Sequence, residues 1–188
     1  MNTKTLNPGP LGLAGFALTT WLLSMINAGW YSGDSMGLVL AVALAYGGTA
    51  QALAGLMEIP RGNTFGATAF LSYGAFWWSL ALFVLFLHDK VPASFVGWYL
   101  ALWGVFTLYM WIPTFRVNFC LWTVFLFLWI TFFLLAGADL GMGASWRVAG
   151  GRLGLLTGLD ALYLSFAEVT NATFRRSLLP VGGPILKA

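Results

Sequence analysis

Long apolar segments alternate with short polar breaks along the whole chain. Six segments reach or approach the roughly 20 apolar residues that a helix needs to cross a membrane. The breaks contain charged residues, proline or glycine, as in Pro60–Asn63 and His88–Pro92. The pattern predicts an all-α integral membrane protein, a single domain over residues 1–188, with six transmembrane helices at about 10–30, 36–57, 64–87, 94–112, 117–136 and 151–169.

Composition supports this class and excludes several others. Hydrophobic residues make up 60% of the 188 residues and charged residues only 8%, whereas a soluble domain carries about 25% charged residues. The single histidine, His88, and the single cysteine, Cys120, cannot form a His/Cys cluster for zinc or haem, so we expect no metal and no cofactor. No basic patch suggests a nucleic-acid partner, and no catalytic constellation suggests an enzyme.

Lysine and arginine residues fall unequally on the two sides of the predicted bundle. Three of them, Lys90, Arg147 and Arg152, follow odd-numbered helices. Six lie on the side of the N-terminus and the even-numbered loops, namely Lys4, Arg61, Arg116, Arg175, Arg176 and Lys187. Because cytoplasmic loops carry the excess of basic residues, we expect a multi-pass protein of the cytoplasmic (inner) membrane with both termini in the cytoplasm.

Two sequence patterns bear on how the helices are arranged. Asn7, Asn63 and Asn118 each precede an odd-numbered helix at nearly equal spacing, which suggests three related helical hairpins. In the sixth segment, Gly150, Gly154 and Gly158 lie on one helical face. Such a stripe allows close helix packing in lipid; packing within one bundle is favoured over packing between subunits.

Ionisable residues inside the predicted membrane spans are few, and such groups are functional candidates by default. Asp160 and Glu168 lie on nearly the same face of the sixth helix, with Asn171 on an adjoining part of that face. Glu168 has a structural alternative, a salt bridge to a nearby arginine. For Glu58 at the end of the second span, an ion pair with Arg61 is the favoured interpretation. Uncharged polar residues such as Thr20 and Gln51 add to a narrow path of hydroxyl and amide groups.

Two longer motifs are the most specific features of the sequence. Residues 7–13 read N-P-G-P-L-G-L, and residues 62–77 read G-N-T-F-G-A-T-A-F-L-S-Y-G-A-F-W. Shorter stretches at Gln51–Glu58, Tyr99–Leu108 and Glu168–Val169 extend the pattern over nearly the whole chain. Together they resemble the acetate uptake transporter family, which includes the succinate–acetate permeases. The departure in the first motif is Gly9, where the family commonly has alanine.

This resemblance implies a fold, a substrate class and a set of site residues. It implies six transmembrane helices with cytoplasmic termini, in a homo-hexameric ring with one path per subunit and lipid around it. It implies uptake of acetate and, in some members, succinate or other short carboxylates. The family's hydrophobic constriction of Phe, Tyr and Leu falls by motif position on Phe16, Tyr73 and Leu128, and Ala161 falls on a small pore-facing position. Asp160 beside it departs from the family pattern.

An apolar constriction also limits the mechanism. A carboxylate crosses it at a cost on the order of several kcal/mol, and the neutral acid crosses more cheaply, so a proton-coupled permease (a symporter) and an anion channel both remain open. We expect the Tyr73 hydroxyl to donate to the substrate, and Glu168 or Asp160 to accept any coupled proton. Beyond the constriction, the expected path residues are Asn7, Thr20, Gln51, Asn63, Ala161, Glu168 and Asn171.

Other functions remain as alternatives at this point. The main one is a channel for small neutral amides such as urea, because a hydroxyl-rich path in the same architecture suits either solute. A sensing or structural subunit that transports nothing is a further one.

Overall fold

Six long helices make up the computed structural model, which describes residues 6–187. All six are long and apolar enough to cross a membrane, and no β-strand occurs within residues 6–187. Lys4, one of the six basic residues on the predicted cytoplasmic side, lies outside the described residues. The helices are α1 (Gly9–Asn27), α2 (Gly33–Arg61), α3 (Thr64–Phe86), α4 (Ala93–Thr114), α5 (Phe119–Met142) and α6 (Ala144–Phe174).

The starts of the odd-numbered helices follow from their asparagines. Asn63 accepts a hydrogen bond from the Gly66 N–H (3.0 Å), and Asn118 accepts one from the Leu121 N–H (2.8 Å). Each side chain thus caps one of the N–H groups that a helix start leaves without a partner. At α1 the cap position is held by Pro8, and the Asn7 side chain accepts from the Gly9 N–H at 3.0 Å.

The boundary between α5 and α6 differs from the sequence-based prediction. The predicted break covered residues 137–150, whereas α5 continues to Met142 through a π-helical last turn and α6 begins at Ala144. The chain reverses at Gly141 and Gly143, whose φ angles of 97° and 104° favour glycine. Charges at Asp139 and Arg147 made this stretch look like a loop, but their side chains form an ion pair across the reversal.

Glycines allow α6 to pack closely inside the bundle. A Cβ atom at Gly158 would lie 3.1 Å from the carbonyl oxygen of Ala17 in α1, and one at Gly150 would lie 2.8 Å from Leu135 in α5. Gly154, between them, lies against Ser24 of α1. The predicted glycine stripe therefore packs within one subunit, as the favoured interpretation held.

Aromatic side chains fill the space between α3, α4 and α5, where the backbones of α3 and α4 rarely come close. The Phe76 ring packs against Tyr99 and Trp103 of α4, at centroid distances of 6.0 and 5.2 Å, and against Phe132 of α5 at 5.3 Å. Edge-on and tilted contacts of this kind favour defined ring orientations. They hold the middle of α3, including Tyr73, in a fixed position.

Candidate functional site

Two cavities lie along the interior of the bundle, one toward each end. The first cavity, of about 260 Å³, lies among the N-terminal ends of α1, α3 and α5. The second cavity, of about 540 Å³, extends to the opposite end of these helices. Both have walls that are mainly apolar with a few polar side chains, as small-molecule sites usually do.

The predicted constriction residues separate these cavities. Among the described residues, Phe16, Tyr73 and Leu128 are the only ones that line both cavities. All three are buried, with exposed fractions of 5%, 3% and 4%, and the Phe16 and Tyr73 rings lie 5.9 Å apart. The three side chains come from α1, α3 and α5, so residues distant in sequence form one apolar layer.

The Tyr73 hydroxyl does not have the role expected from the sequence. It donates a hydrogen bond to Thr107 Oγ1 of α4 (2.9 Å), and the Thr107 hydroxyl donates in turn to the Trp103 carbonyl (2.7 Å). A phenol has a single proton to donate, and here that proton is used to attach α3 to α4. Tyr73 therefore presents its ring to the constriction, and its hydroxyl positions that ring.

Three asparagines line the wall of the first cavity. Asn7, Asn63 and Asn118 all contact it, and each uses its side-chain oxygen to accept from a backbone N–H at a helix start. Their amide NH₂ groups are the parts left to face a ligand. Asn118 is absent from the expected path residues, although the equal spacing of the three asparagines had pointed to it.

Two carboxylates and one glutamine complete the polar part of the first cavity. Glu168 accepts from the Asn7 amide at 3.0 Å, so within the described residues its partner is an asparagine of the cavity wall instead of a nearby arginine. Glu58 is 2% exposed and forms the predicted ion pair with Arg61 at 3.1 Å. Gln51 is 1% exposed, and its side-chain oxygen has no partner among residues 6–187.

The second cavity has polar groups at two depths. Thr20 lines it near the constriction. At its outer end lie the Asp139–Arg147 ion pair and the exposed residues His88 and Asp89. The sequence suggested only a solvated loop at His88. No signal within the sequence joined this loop to Asp139 and Arg147, which lie about fifty residues further along the chain.

Three residues singled out from the sequence lie away from both cavities. Ala161 is completely buried but lines neither cavity. Asn171 holds the C-terminal segment, because its oxygen accepts from the N–H groups of Leu178 (2.7 Å) and Leu179 (2.9 Å). Asp160 is half-buried and accepts from the Thr123 hydroxyl of α5 at 2.5 Å. It thus faces a neighbouring helix.

The geometry defines a class of protein. Within the described residues no group of three or more His, Cys, Asp or Glu side chains is placed to hold a metal ion. The polar side chains instead lie in two cavities at opposite ends of a six-span bundle, with an apolar layer between them. This arrangement is typical of a membrane path for a small solute.

Comparison with known proteins identifies the family. Residues 1–181 match the model of the GPR1/FUN34/yaaH family, and the chain belongs to it. It is 46% identical over 185 residues to the succinate-acetate/proton symporter SatP of Escherichia coli (strain K12), covering 96% of this chain and 97% of that protein. It is 37% identical to acetate permease A of Emericella nidulans, covering 95% of this chain and 66% of the permease.

A solved structure also matches the fold. The structure of the bacterial acetate channel SatP superimposes with a TM-score of 0.91 at 45% identity, covering 95% of this chain and all of that one. These relatives are transporters or channels. The resemblance to a family of acetate transporters is therefore confirmed, as is the all-α six-span fold.

Proposed function

We propose that this protein carries acetate, and with it succinate or other short carboxylates, across the membrane through the two cavities and the layer of Phe16, Tyr73 and Leu128. The observation that carries the proposal is that these three side chains are shared by both cavities. A solute moving between the cavities must pass them. The names of the relatives, a succinate-acetate/proton symporter and an acetate permease, support the substrate class.

The first cavity suits a carboxylate group. Asn7, Asn63 and Asn118 contribute amide N–H donors to its wall. The starts of α1, α3 and α5 lie beside these asparagines and add a partial positive charge. Carboxylate oxygens accept hydrogen bonds from both kinds of group, so the solute collects here before it enters the apolar layer.

Glu168 is the proposed proton acceptor if a proton accompanies the solute. It lines the first cavity and bonds to Asn7, one of the proposed carboxylate-binding groups. Asp160 is no longer a candidate for this role, because it lines neither cavity. The unpartnered oxygen of Gln51 accepts the O–H of the neutral acid in the same cavity.

We carry three further features as proposals: a cytoplasmic (inner) membrane location, cytoplasmic termini and a homo-hexamer with one path per subunit. The basic residues support the orientation, because Arg61, Arg116, Arg175 and Arg176 follow α2, α4 and α6 at the first-cavity end. The first cavity then opens to the cytoplasm. Membership of the family supports the hexamer, which the size of the detergent-solubilised particle tests.

Reconstituted transport tests the function. Liposomes containing the purified protein take up labelled acetate faster than empty liposomes, and a series of carboxylates and urea is run in parallel. Faster uptake down a proton gradient indicates symport, and uptake that follows only the acetate gradient and voltage indicates a channel. Phe16→Ala is compared with Phe166→Ala, since Phe166 is an exposed phenylalanine outside both cavities. Passage of urea without acetate would refute the proposal.

A further inference from the structure

Three buried polar groups of the second cavity have no hydrogen-bond partner within residues 6–187. They are the hydroxyls of Thr20 and Thr131 and the indole N–H of Trp77. The side chains are 7%, 5% and 2% exposed, and all three line the second cavity. Buried polar groups in proteins almost always have a partner, so three orphaned groups in one cavity require an explanation.

These groups occupy one layer of the bundle. Thr20 follows Phe16 by four residues, Trp77 follows Tyr73 by four, and Thr131 follows Leu128 by three. Residues three or four apart lie on the same face of a helix, about one turn or 5.4 Å further along. Each orphaned group therefore lies one turn beyond the constriction residue of its own helix, on the second-cavity side.

The other buried threonines show that this is not the usual behaviour of the residue. Thr19, Thr107 and Thr157 each donate to the carbonyl four residues earlier in the same helix, at 2.7–2.9 Å. Helical threonines commonly satisfy themselves in this way. Thr20, next to Thr19 in sequence, and Thr131 do not, so their hydroxyls stay available to the cavity.

The chemistry of the three groups selects the ligand. An indole N–H can only donate a hydrogen bond, and a hydroxyl can also donate. Three donors around one space match a group with several acceptor positions and no proton of its own. A carboxylate is such a group, and the solute of the proposed function carries one.

We propose that Thr20, Trp77 and Thr131 form a carboxylate-binding site directly beyond the constriction, where the transported acid rests after it passes the apolar layer. This inference rests on the proposed function for the identity of the ligand. Phe76 and Leu40, which also line the second cavity, accommodate the apolar part of the acid. The three donors carry no formal charge, so the acid binds weakly enough to leave, as a transport path requires.

A structure with a heavy-atom analogue tests the site directly. The unmodified protein is determined with bromoacetate, whose bromine marks the orientation of the acid. We expect carboxylate density in contact with Thr20, Trp77 and Thr131, and bromine toward the apolar wall. A layer that holds only water while bromoacetate occupies other positions would overturn the proposal. This measurement needs no transport and no variant.

Transport by variants provides the second test. Thr20→Val, Trp77→Phe and Thr131→Val remove a donor with little change of shape. We expect each to raise the half-saturating acetate concentration about three- to tenfold, the effect of one lost hydrogen bond. Thr19→Val and Trp129→Phe are the matched controls. The Thr19 hydroxyl bonds to its own helix, and the Trp129 indole is also unpartnered within residues 6–187 but lines neither cavity.

The two proposals fail in different ways. If the unmodified protein carries acetate and the triple variant has the same half-saturating concentration, the site is refuted and the function stands. If the protein carries no acetate but binds bromoacetate in this layer, the function is refuted and the site stands.

Discussion

The Tyr73–Thr107 hydrogen bond allows the ring and the hydroxyl of Tyr73 to be tested separately. In the structure the hydroxyl donates to Thr107 Oγ1 at 2.9 Å, away from the path, and the ring forms part of the constriction. Tyr73→Phe removes the hydroxyl and keeps the ring. We therefore expect acetate flux through Tyr73→Phe to stay within about twofold of the unmodified protein, well inside the tenfold change that 1.4 kcal/mol produces.

The cost of these substitutions appears in stability, with different sizes for the two partners. Tyr73→Phe loses one net hydrogen bond, about 1 kcal/mol, because Thr107 keeps its bond to the Trp103 carbonyl. Thr107→Val leaves the buried tyrosine hydroxyl without an acceptor, which costs about 1–3 kcal/mol. The double variant should lose less than the sum, because the unpaired hydroxyl is then gone.

Thermal unfolding in detergent measures these differences. For a chain of this size, 1 kcal/mol corresponds to about 2–4 °C in Tm. We expect Thr107→Val to unfold at the lowest temperature of the two single variants, and the double variant to lie above the value that addition predicts. A tenfold loss of flux in Tyr73→Phe with normal flux in Thr107→Val would refute the reasoning, since the hydroxyl would then act on the solute.

Three further substitutions test the constriction, a helix cap and a close contact. Phe16→Ala widens the layer between the cavities, so we expect flux of carboxylates larger than acetate to rise relative to acetate in a competition assay. Asn118→Ala removes the cap of α5 at a cost of about 1 kcal/mol and one donor from the first cavity, so both the Tm and the apparent acetate affinity should fall. Gly15→Val places a Cβ 2.8 Å from the Tyr46 carbonyl oxygen; we expect this backbone clash to lower the yield of folded protein in size-exclusion chromatography.

Each of these has a result that contradicts it. An unchanged ratio of carboxylate fluxes in Phe16→Ala would show that the layer does not select by size. A normal acetate affinity in Asn118→Ala, with lowered Tm, would restrict that residue to capping. Normal yield and Tm in Gly15→Val would mean that α1 and α2 are less closely packed than the structure indicates.

Several features of this protein were available from the sequence, because they depend on local properties of the chain. The number of spans follows from the length of apolar segments and from the few charges that interrupt them. Asn63 and Asn118 were recognisable as repeated residues before helices, and both prove to be caps. The motifs around Phe16 and Tyr73 identified the family, and with it the residues that form the constriction.

The tertiary structure decided what the polar side chains do. Asn171 and Glu168 are three residues apart on one helix, yet one holds the C-terminal segment and the other lines a cavity. Asp139 and Arg147 were assigned to a loop, and their pairing depends on the reversal at Gly141 and Gly143. Thr19 and Thr20 are identical neighbours, but only Thr20 faces the second cavity. Hydropathy and motif patterns describe one segment at a time, whereas a cavity and its orphaned donors exist only where distant helices meet.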